Sequence, residues 1–183
     1  MEHTMTIAGK TRSLPLCKIT DDLYIGAFII FGDVELTEAA AAELLRRAPA
    51  FDLLITAESK GIPLIYEMTR QAGKSDYIVA RKAEKLYMKD AVTVSVKSIT
   101  TAKVQTLVLD RSDMEKLRGR RIILLDDVVS TGESLRALEK LVRDAGGDIV
   151  AKMTILAEGD AAGRDDLIYL EKLPLFDGAG NPI

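Results

Sequence analysis

Cysteine is almost absent. Cys17 is the only one in 183 residues, which excludes an internal disulfide framework and fits a reducing compartment. Histidine is as scarce: His3 stands alone in a terminus expected to be loose, so it is assigned no chemistry. Without a Cys/His cluster no structural zinc site is expected. No apolar run approaches the roughly 20 residues that span a bilayer. The opening Met1-Glu2-His3-Thr4 lacks the basic start and apolar core of a signal peptide, so the expected location is cytoplasmic, with no membrane partner. Basic charge does not dominate either. A net charge of −3 and a pI near 5.3 argue against nucleic acid as a partner. There is no internal repeat, low-complexity tract or linker. Neither a Walker A loop (G-x-x-x-x-G-K-[ST]) nor a dinucleotide G-x-G-x-x-G is present to bind phosphate.

What is present describes a globular chain. Hydrophobic residues make up 48% and charged residues 29%, and the length suits one domain spanning 1–183 with a real core. The segment that organises it is Ile122-Ile123-Leu124-Leu125-Asp126-Asp127-Val128-Val129-Ser130-Thr131-Gly132-Glu133-Ser134. Four consecutive apolar residues predict a strand buried on both faces, and hence a parallel sheet covered by helices. Two carboxylates stand at the strand's end. A Ser-Thr-Gly turn follows, then a helix with Leu135, Leu138, Leu141, Val142 and Ala145 at helical spacing. Ligands of open α/β sheets sit beyond the carboxyl ends of strands. The turn's N–H groups suit a phosphate, and ionised carboxylates, which only accept hydrogen bonds, suit hydroxyls. An Asp pair after a strand also serves as a plain helix-capping signal.

The whole thirteen-residue string resembles the phosphoribosyl-diphosphate (PRPP) signature of type I phosphoribosyltransferases. The resemblance extends over about residues 26–176 and comes nearest to the adenine and xanthine purine enzymes. It implies an open, mostly parallel α/β sheet with helices on both faces, a small N-terminal hood (about 1–36), a core (about 37–176) and a flexible β-hairpin. It also implies that Asp126 and Asp127 hold the ribose, and that Val129, Ser130, Thr131, Gly132, Glu133 and Ser134 cradle the 5-phosphate.

Other segments carry a bland reading beside a functional one. Phe28-Ile29-Ile30-Phe31-Gly32-Asp33 reads as a core strand ending in a turn. It also resembles the family's Phe-Arg-Asp hood, where Phe31 and Gly32 would meet the base, although Gly32 replaces the Arg. Thr37 is expected to cap a helix reaching about Arg47. The strand Phe51–Thr56 leads into Ala57-Glu58-Ser59-Lys60-Gly61 and a helix over Ile62–Gln71, a second anion-binding arrangement. By itself this is an ordinary strand-to-helix loop; beside the signature, Ser59, Lys60 and Gly61 resemble the pyrophosphate loop. Arg81-Lys82-Ala83-Glu84-Lys85 is a solvated basic cluster or, by resemblance, a neutraliser of pyrophosphate through Arg81, Lys82 and Lys85.

Val92–Leu109 predicts a β-hairpin. In the family this is a lid, and Thr100 and Thr101 stand where adenine enzymes carry a Glu-Tyr pair. Asp148–Leu156 predicts a strand ending near Glu158, which the resemblance places at the base, followed by a Gly163-Arg164-Asp165 step that it treats as a shared structural element. Lys172–Phe176 reads as a last strand or docking segment, and Asp177–Ile183 as loose. The implied reaction is transfer of phosphoribosyl from PRPP to a purine, of adenine or 6-oxopurine type, with Mg²⁺ as cofactor and held mainly by PRPP and water. The implied assembly is a homodimer. The alternatives are a PRPP-binding regulator without catalysis, or a transferase for a non-purine base.

Overall fold

The computed structural model describes residues 1–97 and 104–183. Five strands form a parallel sheet: β4 (Leu53–Ala57), β5 (Ile78–Ala80), β8 (Arg121–Val129), β9 (Asp148–Glu158) and β10 (Ile168–Leu173). Their spatial order is β10-β9-β8-β4-β5. The chain leaves β4 for β5 on one side and later returns as β8 on the other. The crevice between the carboxyl ends of β4 and β8 is therefore the topological switch point.

Near-continuous apolar runs in β4 and β8 follow from burial on both faces, since successive side chains point to opposite sides of a sheet. Leu53, Ile55, Ile122 and Leu124 pack with Leu138 and Leu141 of α4 (Glu133–Asp144). Leu54, Ile123 and Leu125 face the other way, against Leu36 and Leu44 of α1 (Val34–Arg47) and Leu64 and Met68 of α2 (Ile62–Gln71). A short helix, α3 (Arg111–Leu117), adds Leu117 to the α4 side. The expected architecture, an open parallel sheet with helices on both faces, is the one observed.

The amino-terminal strands make a separate antiparallel sheet. β1 (Glu2–Ile7) and β2 (Lys10–Lys18) join through Ala8 and Gly9, both at positive φ, the backbone of a tight hairpin turn. β3 (Tyr24–Gly26) pairs with β2, and β11 (Leu175–Phe176) with β3. His3 is thus part of a strand, its ring 4.9 Å from that of Phe176, rather than in a loose terminus. The carboxyl end is tied down as well. Asp177 Oδ1 accepts from the Ala179 and Asn181 N–H groups, and the Ile183 N–H donates to Leu175 O.

Two local readings change. Residues 28–30 belong to no strand; Phe28 and Ile30 are buried while Ile29 and Phe31 are exposed, an extended chain laid along the core. The first helix starts earlier than expected because Gly32, at φ +80, turns the chain so that Asp33 becomes the cap, accepting from the Leu36 N–H. Thr37 sits in the first turn, its hydroxyl donating to Asp33 O. Arg12 of β2 grips Asp33 at 2.6 and 2.9 Å, so the hood is clamped to the start of α1.

The predicted hairpin is β6 (Val92–Lys97) and β7 (Val104–Leu109). Val94, Leu107 and Leu109 pack into the core with α4. Its other anchor is a pair of backbone hydrogen bonds between Arg81 and Val108, which hook β7 to the end of β5. Thr100 and Thr101, named for base recognition, lie outside the described residues.

Candidate active site

Two loops meet at the switch point, and a third adjoins the first of them. The first follows β4, where Ser59, Lys60 and Gly61 lead into α2. The second follows β8, where Asp126 and Asp127 precede the turn Ser130–Gly132 at the start of α4. The third follows β5 and begins at Arg81.

The acid pair is almost wholly buried, Asp126 at 7% and Asp127 at 3% exposure. Asp126 Oδ1 accepts from the Asp127 N–H at 3.0 Å and from the Ser59 hydroxyl at 3.4 Å. Burial, and then the neighbouring Asp127 charge, push the Asp126 carboxyl up to about 7. Asp127 Oδ2 lies 3.2 Å from Lys60 Nζ, close enough for an ion pair. Their alignment makes no hydrogen bond, however, and this buried oxygen has no other donor among the described residues. A buried acceptor left open in this way is suited to a ligand hydroxyl.

Lys60 bridges two parts of the site although its side chain stays 40% exposed. Its ammonium donates to Phe28 O at 2.7 Å, so one side chain touches the hood, the loop after β4 and the acid pair. Gly61 has an ordinary helical φ of −69. Its lack of a side chain is needed for space: a Cβ would lie 2.9 Å from Thr56 Oγ1, 3.5 Å from Asp127 N and 3.6 Å from Asp126 Cα. The loop after β4 is thereby seated directly on the end of β8. Thr56 Oγ1, fully buried beneath it, has no hydrogen-bond partner among the described residues.

The turn after β8 lines a cavity of about 150 Å³ together with Asp126, Val129, Glu133 and Ser134. Gly132 caps α4 at φ +74, a left-handed conformation that favours glycine. Helix N-terminal N–H groups gathered on a small concavity make an anion cradle. A larger cavity, about 730 Å³, is elsewhere, between α1 and α2, and is lined by Ile30, Gly32, Val34, Pro63, Tyr66 and Tyr77. It lacks the acid pair, so size does not mark the chemistry here.

The basic cluster is only partly free. Arg81 pairs with Glu58 at 3.0 Å, and the Lys82 N–H donates to the same carboxylate. That N–H, followed by the Arg81 and Lys85 charges, holds the Glu58 carboxyl below its ordinary range. Glu58 therefore ties the loops after β4 and β5 together, a role that sequence reasoning did not assign. The Lys82 side chain is exposed and Lys85 half-buried. Phe31 is 56% exposed, three residues beyond the Phe28 carbonyl that Lys60 holds. Glu158 is buried at the end of β9, beside the strand that carries the acid pair.

Fold and site together define a doubly wound α/β protein with buried carboxylates and an anion cradle at its switch point. The sequence pattern of the phosphoribosyl transferase domain matches residues 34–173, and the chain belongs to that family. It is 30% identical to a xanthine phosphoribosyltransferase of Exiguobacterium over 139 residues, 74% of this chain and 70% of that protein. It is 27% identical to an adenine phosphoribosyltransferase of Agathobacter rectalis over 165 residues, 87% and 89% of the two chains. Among solved structures, adenine phosphoribosyltransferase of Thermoanaerobacter pseudethanolicus superposes with a TM-score of 0.66 at 21% identity, covering 78% of this chain and 84% of that one. The Giardia lamblia enzyme complexed with 9-deazaadenine gives 0.65 at 18%, covering 94% and 93%. At these identities the structural likeness speaks for the fold.

Proposed function

We propose that the protein transfers the 5-phosphoribosyl group from PRPP to a purine base and releases pyrophosphate, as a salvage enzyme acting through one domain, 1–183, with its hood over about 1–36. The observation that carries this reading is the meeting of an acid pair and an anion cradle at the switch point, in a chain similar to both xanthine and adenine phosphoribosyltransferases.

In this reading Asp126 and Asp127 accept the ribose hydroxyls, and the open Asp127 Oδ2 is the acceptor best placed for one of them. Residues 129–134 surround the 5-phosphate. The loop Ser59-Lys60-Gly61 flanks the pyrophosphate, with Lys60, Arg81, Lys82 and Lys85 supplying charge as it departs. Positive charge develops on the anomeric carbon as that bond breaks, so positioning and charge control do most of the catalysis. Phe31 offers a flat face to the base, with Gly32 and Glu158 near it.

Among the described residues no group of three His, Cys, Asp or Glu is placed to hold a metal ion. Mg²⁺ fits as a companion of the substrate, bound mainly through its oxygens and water with the acid pair close by. When bound it neutralises charge on the departing pyrophosphate.

Also among the described residues, no helix is long and apolar enough to cross a membrane. This and the free Cys17 support a cytoplasmic location. The exposed Ile29, Val34 and Tyr66 beside the large cleft support a homodimer. Light scattering at working concentration checks this, and a monomer refutes it.

A panel of adenine, xanthine, hypoxanthine, guanine, uracil and orotate with Mg-PRPP, read by pyrophosphate release, tests the reaction. Orotate is included because an orotate phosphoribosyltransferase of Caldanaerobacter subterraneus is 26% identical over 141 residues. Turnover with a purine is the expected result. Turnover only with orotate or uracil moves the assignment to a pyrimidine; PRPP binding without turnover of any base moves it to a regulator.

A further inference from the structure

The step Gly163-Arg164-Asp165 follows a short 3-10 turn (Gly159–Gly163) after β9, outside every group of residues assigned above. Its arginine folds back onto the turn after β8. Nε and Nη2 of Arg164 bind the two Asp166 oxygens at 2.9 and 3.0 Å, leaving Nη1 to project. Nη1 is seated against Gly132, so closely that a side-chain carbon on Gly132 would collide with it. No hydrogen-bond acceptor holds Nη1 among the described residues. The φ of +74 at Gly132 favours glycine, and the guanidinium fills the space beside it.

Asp166 is itself fastened. Lys152 of β9, with its side chain only 14% exposed, donates to Asp166 at 2.8 Å and pairs with Glu139 of α4 at 3.2 Å. Arg164, followed by Lys152, holds the Asp166 carboxyl far below its ordinary range. The connections run Glu139–Lys152–Asp166–Arg164–Gly132, from the middle of α4 back to the residue that caps its first turn. An arginine can do this where a lysine cannot: the planar fork spends two nitrogens on Asp166 and keeps the third for Gly132.

We propose that Arg164 is the positioning residue of the 5-phosphate cradle, bracing Gly132 so that the N–H groups of the turn converge on the phosphate. It does not line the cavity of about 150 Å³, so it acts through the turn rather than as a direct ligand. The proposal rests on the PRPP reading given above.

The test compares wild type, Arg164→Ala and Arg164→Lys by thermal shift with inorganic phosphate and by steady-state kinetics. Arg164→Ala should weaken phosphate binding and raise the KM for PRPP by roughly tenfold, the scale of one N–H of the turn that no longer reaches the phosphate. The KM for the base should stay within about twofold, since the brace touches only the phosphate end. Arg164→Lys should resemble the alanine variant, because one nitrogen cannot serve both Asp166 and Gly132. Millimolar guanidinium should restore PRPP binding to Arg164→Ala and leave Arg164→Lys unchanged. Unaltered phosphate binding in Arg164→Ala, equal rises in both KM values, or full rescue by lysine would each overturn the proposal. Failure of the wild type to bind phosphate would overturn it too. Phosphate binding that weakens as expected, in a protein that turns over no base, would leave the brace standing and reject the transferase reading alone.

Discussion

At the scale of single residues, Asp126 is the most consequential group, because its carboxyl is held up near 7 by burial and by the Asp127 charge. In the unfolded chain it titrates near its ordinary value of roughly 4. Between those two values the native protein binds the extra proton, so this group lowers stability progressively as pH rises from about 4 to about 7. Asp126→Asn keeps an oxygen to accept from Ser59 and the Asp127 N–H while removing the charge. It should raise Tm at pH 8 by at least about 3 °C, the effect of ~1 kcal/mol in a chain of this size. The advantage should fade towards pH 4 and vanish below it, where the wild-type carboxyl is protonated in both states. Thermal melts across that range check this; a difference independent of pH would show that the carboxyl ionises normally. A stabilising substitution at a site residue is consistent with strain kept for function.

Elements explain how such a cost is carried. The carboxylates sit at the end of β8, whose residues Ile122–Leu125 are completely buried between two helical layers. On one side, α4 presents Leu135, Leu138, Leu141 and Val142 to the sheet and to the hairpin β6–β7. The helix that caps the anion cradle is thus anchored one to two turns further along by apolar packing. Leu138→Ala should cost about 2–5 kcal/mol, as a buried leucine truncation does, and lower Tm by at least about 5 °C. Below that Tm, the KM for PRPP should change less than in Arg164→Ala, since the cavity forms away from Gly132. Calorimetry and kinetics on the same samples separate the two. A loss under about 1 kcal/mol would mean that the α4 seam repacks freely.

At the scale of the whole molecule, the site exists only where hood, core and loops converge. Lys60 holds a hood carbonyl and faces Asp127 at once, so ligand arrival competes with contacts already made. PRPP with Mg²⁺ should raise Tm more than PRPP with EDTA, because the metal lessens repulsion between the polyanion and the acid pair. Lys60→Ala should weaken the shift. A melting temperature indifferent to both PRPP and metal would remove the phosphate site from this molecule.

Much of this architecture was legible in the order of residues alone. Ile122–Leu125 followed by Asp126, Asp127 and a Ser-Thr-Gly turn announced a doubly covered strand that ends in an acid pair and a helix-starting turn. The helix bounds Ile62–Gln71 followed from apolar spacing after Gly61. Such features depend on periodicities of two and 3.6 residues and on turn chemistry spanning a few positions. Local misreadings had local causes: Asp33 displaced Thr37 as the cap because Gly32 turns the chain just before it, and His3 joined a strand because β1 folds back on β2 across the Ala8-Gly9 turn. The tertiary structure alone decided the long-range pairings. Lys60 meets a carbonyl 32 positions away, Ser59 meets Asp126 across 67, and Arg164 closes on Gly132. Which distant residues meet is set by the strand order β10-β9-β8-β4-β5, which brings the ends of β4 and β8 together. Segment chemistry determined what each loop offers, while the crossing of the chain at the switch point decided that they lie together.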